Sequence, residues 1–265
     1  RALKDEPLEQ TTGSNGNRVP VTVLKKAKDS LNARFEPIPQ LQTTSIFMVD
    51  DDIRVACSSL QQAFLAWKEH PDAMVGFYPR LAVSSARQQA SDDPQIPNQQ
   101  FVYHLWPKIY WRQRFNIILT KASFLHSKYL ELYSDDASFP KEIKDHVDKH
   151  KNCEDIAMSM LVANYIQNHD PTDGKGKDSP VLYVEGSVSD AGLFGGISSG
   201  QGHFATRNDC LNQLTSIVRS RGWGSPLEQD FDLAENSWIR HSPGFWWQPA
   251  PSNPCEWFGL VNLFS

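Results

Sequence analysis

Ser45-Ile46-Phe47-Met48-Val49-Asp50-Asp51-Asp52 is an apolar run of strand length that ends in three consecutive acids. A short apolar run closed by polar residues reads as a buried β-strand. Carboxylates gathered at its end repel one another unless a cation lies among them, and a hard divalent ion with oxygen ligands is the natural one. Such an ion would most readily hold phosphate. In open α/β sheets, ligands bind in the crevice outside the carboxyl ends of the strands. The stretch therefore points to an α/β protein with a metal and phosphate site at one strand end. The competing reading is a solvated acidic turn.

Outward from this strand, a strand–helix–strand rhythm is predicted. Upstream, residues 21–24 read as a short strand and 26–35 as a helix, after a polar lead-in over 1–20. Downstream, Leu60, Phe64 and Trp67 recur at helical spacing, and 73–78 reads as a buried strand closed by Pro79. Residues 84–100 form a polar loop, 115–120 a strand, and 123–133 and 141–149 helices. A longer helix follows Asn152-Cys153-Glu154-Asp155, with Ile156, Met160 and Ala163 as its buried stripe. Residues 168–179 read as a linker, 181–184 as a strand, 192–202 as a glycine- and serine-rich loop and 203–221 as the last helix. The segment 228–265 is an irregular tail rich in Trp and Pro.

The 265 residues, 40% hydrophobic and 22% charged, fit one or two globular domains with ample core. A formal net charge of -5 argues against a non-specific nucleic-acid binder, and no apolar stretch is long enough to span a bilayer. Cys57, Cys153, Cys210 and Cys255 form no Cys-x-x-Cys pair, which excludes a zinc ribbon and leaves one disulfide or none.

Other residues have two readings each. Glu154 and Asp155 sit at a predicted helix start, where the dipole stabilises acids without any function; alternatively, one faces a reacting sugar carbon or its attacking hydroxyl. Arg207 is a surface cation or the partner of a leaving phosphate. Arg34 is a helix-end cation or a neighbour of a nucleotide phosphate. The glycine-rich loop lacks the Lys-Ser/Thr ending of a phosphate loop and reads as a mobile cover.

Taken in order, several stretches resemble one family. They are 30–35 (Ser-Leu-Asn-Ala-Arg-Phe), 48–52 (Met-Val-Asp-Asp-Asp), 63–67 (Ala-Phe-Leu-Ala-Trp), 75–80 (Val-Gly-Phe-Tyr-Pro-Arg), 119–124 (Leu-Thr-Lys-Ala-Ser-Phe), 127–132 (Ser-Lys-Tyr-Leu-Glu-Leu), 152–158 (Asn-Cys-Glu-Asp-Ile-Ala-Met) and 207–210 (Arg-Asn-Asp-Cys). The chain resembles the catalytic domain of the exostosin and exostosin-like glycosyltransferases, glycosyltransferase family 64, from about residue 21 to about 227.

That resemblance implies a GT-A fold, an α/β mixed sheet flanked by helices, with a Rossmann-like nucleotide-sugar half and an acceptor half. It implies retaining transfer of an N-acetylhexosamine or related sugar from a UDP-sugar donor, with Mn²⁺, to a glycan or glycoprotein acceptor. By position, Asp52 would ligate the metal, while Asp50, Asp51, Asp29 and Arg34 would contact the nucleotide-sugar. Asp155 would lie near the anomeric carbon and Arg207 at the departing diphosphate. Cys153 and Cys210 match a family disulfide, Cys57 would be a buried free thiol, and Cys255 falls in the tail. A Golgi or endoplasmic reticulum lumen is implied, with the full-length protein anchored in the membrane through a segment absent here.

The chain departs from the family in several places, one being the tail after Pro226, which has no family counterpart. A first strand supplying the uracil wall has no counterpart in 1–20, so the domain is expected to be N-terminally incomplete. Lys121 stands where vertebrate exostosin-like members carry Gly. Residues 106–114 diverge near the region expected to face the acceptor. The competing functions are a non-catalytic nucleotide-sugar-binding remnant, a haloacid-dehalogenase-type phosphatase, and a purely structural domain.

Overall fold

The computed structural model describes residues 22–84, 101–169, 179–194 and 203–238. In chain order its strands are β1 (Ser45–Val49), β2 (Ile53–Val55), β3 (Met74–Gly76), β4 (Pro79–Ser84), β5 (Phe101–His104), β6 (Arg114–Phe115), β7 (Ile117–Ile118), β8 (Ala122–His126), β9 (Val181–Val184), β10 (Val188–Asp190), β11 (Phe231–Asp232) and β12 (Ser237–Trp238). The helices are α1 (Cys57–Glu69), α2 (Trp106–Arg112), α3 (Lys128–Ser134), α4 (Lys141–His150), α5 (Glu154–His169) and α6 (His203–Ser220), with 3-10 turns at Leu31–Phe35 and Ala191–Phe194. The expected α/β architecture is borne out.

The main sheet runs β1-β8-β3-β9-β12. β8 is antiparallel to both β1 and β3, whereas β3, β9 and β12 are parallel. Successive residues alternate between two cores. Val75, Phe124, Leu182 and Val184 pack with Leu60, Ala63, Phe64 and Trp67 of α1, whereas Met74, Leu125, Val181 and Tyr183 join the larger core under α3 to α6. Helices on both faces leave these strands dry on both sides, so they read as continuous apolar runs. Gly76 sits where β3 crosses β8 closely: a Cβ there would meet the Ala122 carbonyl at 2.6 Å.

Tertiary context overrides several local readings. The helix expected over 123–133 is instead the strand β8 followed by α3, because Ala122-Ser-Phe-Leu-His is enclosed between β1 and β3 with Phe124 packed on Phe47 at 4.7 Å. The helix expected over 26–35 is only the turn Leu31–Phe35, capped by the Ser30 hydroxyl, which accepts from the Asn32 N–H at 3.1 Å. In the strand expected over 21–24, Thr22 alone among the described residues makes a bridge. Pro79 opens β4 rather than closing β3, a place where its missing N–H costs nothing. The strand expected over 115–120 divides into β6 and β7 around Asn116. α5 carries far more than a stripe: every residue from Asp155 to Ala163 is buried. The strand at Val181–Val184 and the helices at 141–149 and 203–221 form nearly as expected. The expected polar loop beyond Ser84, the linker over 170–178, most of the glycine-rich loop and the tail beyond 238 lie outside the described residues.

Asn116 is the buried joint between the sheets. Its Oδ1 accepts from the Ala82 N–H at 2.7 Å, and its Nδ2 donates to the carbonyls of Ala82 and Leu227, both at 2.8 Å. Asn116→Ala strands three buried backbone groups, and urea denaturation should show a loss of about 3 kcal/mol. A loss below about 1 kcal/mol would mean that water replaces the amide.

Candidate active site

The site begins where β1 ends. The Asp50 carbonyl accepts from the Ile53 N–H at 3.2 Å, closing a turn with Asp51 and Asp52 at its corners, and the Asp50 N–H donates to the Lys121 carbonyl at 3.1 Å. β2 then pairs antiparallel with β10, and the Ala191 N–H donates to the Asp52 carbonyl at 2.9 Å. This ladder brings Asp190 and Gly192 against the acid turn. A Cβ on Gly192 would lie 2.0 Å from the Asp52 carboxylate, so no other residue fits there without displacing Asp52. Lys121 bridges to Asp190 and lies over the Tyr78 ring, 4.1 Å from its centroid.

Burial, then the charges of Asp190 and Asp50, raise the Asp52 carboxyl above its ordinary value, against Lys121 and a backbone hydrogen bond. The carboxylates of Asp50, Asp51, Asp52 and Asp190 gather there beside two cations, Lys121 and Arg34. No group of three or more His, Cys, Asp or Glu side chains converges as a metal cage among the described residues.

A second cluster stands at the start of α5. Arg207, on α6, donates from Nη1 to Asp155 Oδ2 at 2.7 Å and to the Tyr103 hydroxyl at 2.9 Å. Asp155 Oδ1 accepts from the Ile156 N–H at 2.8 Å. Burial pushes the Asp155 carboxyl up, but the charge and hydrogen bond of Arg207, with the Ile156 N–H and the charge of Arg80, hold it below the ordinary range. Burial pulls the Arg207 guanidinium down, and the Asp155 charge more than reverses this. Both groups stay ionised in a dry setting, where attraction is strong.

The two clusters meet through Arg34. Its guanidinium pairs with Asp50 and lies 3.5 Å from Glu154 Oε1. Burial first, and the neighbouring Asp155 second, push the Glu154 carboxyl up to about 7, against the charges of Arg207 and Arg34. The Cys153–Cys210 disulfide, closing 57 residues, ties the start of α5 to the middle of α6. Linking a loop of that size contributes about 4 kcal/mol in the chain-entropy model. Cys57 departs from expectation: it is exposed and disulfide-bonded rather than a buried thiol.

Of the residues singled out in the sequence, Arg34, Asp50, Asp52, Asp155 and Arg207 therefore fall into these linked clusters. Asp51 is exposed at the turn corner, and Asp29 is exposed and pairs with Lys151 at 3.0 Å. Asp190 and Tyr103 were missed. Both lie far along the chain from the acid triplet, and only strand pairing delivers them. The divergent Lys121 was noticed, but not its pairing with Asp190.

A helix-covered mixed sheet with acids at one strand end, linked by an arginine to a buried acid–guanidinium pair, defines an α/β fold of the glycosyltransferase class. The chain belongs to glycosyl transferase family 64, whose domain matches residues 3–226. It is 35% identical over 202 residues to glycosylinositol phosphorylceramide mannosyl transferase 1 of Arabidopsis thaliana, covering 76% of this chain and 54% of that protein. Similarity extends to glucosamine inositolphosphorylceramide transferase 1 of Oryza sativa subsp. indica, 30% identical over 86% of this chain and 27% of the relative. Exostosin-2 of Homo sapiens is 30% identical over 76% and 25%. The chain thus spans from about half to about a quarter of these relatives' lengths.

Removing one member of a buried pair leaves an uncompensated charge, so Arg207→Met should cost about 3–5 kcal/mol at pH 7, and adding Asp155→Asn should restore most of it. Glu154 binds its proton more tightly folded than unfolded, so its burial should cost stability progressively as pH rises from its unfolded value toward 7. Glu154→Gln should flatten that part of the denaturation profile, and an unchanged slope would place the titration elsewhere.

Proposed function

We propose that this domain transfers a sugar of the N-acetylhexosamine or related hexose type from a UDP-sugar to a glycan acceptor, with retention of configuration and with Mn²⁺. One observation carries the reading: Arg34 links the acid turn at Asp50 to Glu154, the residue next to the Asp155–Arg207 pair. A sugar diphosphate presents a charged end and a reacting carbon a few ångströms apart, and this chain of groups supplies partners for both.

The acid turn suits a divalent ion. Burial first, and then the charges of Asp190 and Asp50, raise the Asp52 carboxyl, and with no ready-made cage among the described residues the remaining ligands would be diphosphate oxygens and water. Such an ion, when bound, supplies positive charge to the leaving diphosphate. Asp52 would hold it, while Asp50, Asp51 and Arg34 shape the ribose and diphosphate side; Asp29 is assigned to the nucleotide by position alone. The Arg207 Nε–H has no acceptor among the described residues, a donor that a departing phosphate oxygen would satisfy. Asp155, ionised and fixed by Arg207, sets negative charge near a carbon that becomes cationic as its bond breaks. With Glu154 turned to Arg34, no second carboxylate among the described residues pairs with Asp155 as a nucleophile, which favours a same-face displacement in which the leaving phosphate accepts the acceptor's proton.

The disulfides fit an oxidising compartment such as the Golgi or endoplasmic reticulum lumen. No described helix is long and apolar enough to cross a membrane. The names of two relatives widen the choice of sugar to mannose or glucosamine and of acceptor to an inositolphosphorylceramide.

Calorimetry with UDP, with and without Mn²⁺, tests the donor site. Metal-dependent binding should appear in the wild type and vanish in Asp52→Asn; its absence from the wild type would favour the non-catalytic remnant. Asp155→Ala should lower transfer by about a thousandfold or more while leaving UDP affinity nearly intact. Loss of UDP binding in that variant would make Asp155 a nucleotide-site residue.

A further inference from the structure

α2 presents to solvent a face unlike the rest of the described surface. Trp111 is 85% exposed and Tyr110 49%, while Ile109, on the opposite face, is fully buried. Lys108 is exposed and Arg112 half-buried, and neither has an acid within ion-pair reach among the described residues. Arg114, just beyond, is neutralised by Asp230 at 2.7 Å. No acid lies between residues 101 and 130 of the sequence. The helix is anchored rigidly: Trp106, its first residue, packs on Tyr183 at 5.5 Å.

We propose that this outward face of α2, Lys108, Tyr110, Trp111 and Arg112, docks on an anionic bilayer surface. Trp and Tyr settle at the headgroup level because their rings are apolar at one end and polar at the other. Lys and Arg beside them are drawn to anionic lipid. A net charge of -5 opposes approach of the chain as a whole to such a surface, so the patch also biases orientation. A soluble glycan fits less well, since sugars and other small ligands are held in concave clefts lined on several sides, whereas these side chains project from a single helix.

The location gives the docking a use. β5 runs directly into α2, and Tyr103 on β5 accepts the hydrogen bond from Arg207. A lipid acceptor lying in the bilayer beneath α2 would present its headgroup hydroxyl close to the Asp155–Arg207 pair. This second half rests on the transferase reading; the docking itself does not.

Sedimentation of the whole chain with vesicles of phosphatidylcholine, alone or mixed with phosphatidylinositol, tests the docking, and UDP calorimetry on the same samples monitors the donor site separately. Wild type should sediment with the mixed vesicles and not with phosphatidylcholine alone. Lys108→Gln with Arg112→Gln should weaken this about thirtyfold and remove its salt dependence. Trp111→Ser should weaken it at least about tenfold while leaving thermal stability and UDP binding unchanged. Failure of the wild type to sediment with anionic vesicles overturns the proposal, as does sedimentation of the variants equal to wild type. Binding to a soluble sulfated glycan without vesicle affinity would reassign the patch to a polyanion. A Trp111-dependent dimer in analytical ultracentrifugation, again without vesicle affinity, would reassign it to a second copy of the chain.

Discussion

Asp155 and Arg207 form an ion pair with almost no water around it, and much of the site's geometry follows from that. Charges in such a place persist only when each has a partner and further hydrogen bonds. The Ile156 N–H and the Tyr103 hydroxyl supply those bonds, which commits β5, α5 and α6 to one arrangement. The Cys153–Cys210 disulfide fixes the same two helices covalently. Two constraints of different physical kind therefore hold the acid and the guanidinium in register, as preorganised charge stabilisation requires.

Next to this pair the electrostatics divide. Asp155 is held ionised by its arginine, while Glu154, one residue earlier, has its proton affinity raised by the same burial and by Asp155 itself. Arg34 spans from Glu154 to Asp50, so charge at the strand end and charge at the helix start are coupled through one guanidinium. At the far side of the turn, Lys121 and Asp190 form an internal pair beside Asp52. A resident lysine there offsets part of the negative charge at the acid turn.

Legibility in the sequence followed burial geometry. β1, α1, α4, α5, β9 and α6 were readable because their apolar residues recur with the period of the element or form a run of strand length. The cluster of acids was readable because it follows directly on an apolar run of strand length, although a solvated turn competed with the metal reading. β8 was misread: its Phe124 and Leu125 serve opposite cores, and a strand dry on both faces lacks the alternation that separates it from a helix. The segment before Leu31 was misread because helical composition there meets no apolar partner to reward a longer helix. The ordered motifs, rather than periodicity, carried the family and the Cys153–Cys210 pairing, and the roles proposed for Asp155 and Arg207 rest on the same motifs.

The sequence by itself determined the α/β class, the acid-ended strand and family membership, because each resides in local pattern or in residues kept in order along the chain. Only the tertiary structure decided that Arg34 joins Asp50 to Glu154, that Asp190 and Lys121 flank Asp52, and that Tyr103 shares Arg207 with Asp155. Those contacts join residues from 16 to 120 positions apart. They arise from strand pairing and helix packing, whose partners no local window of sequence contains.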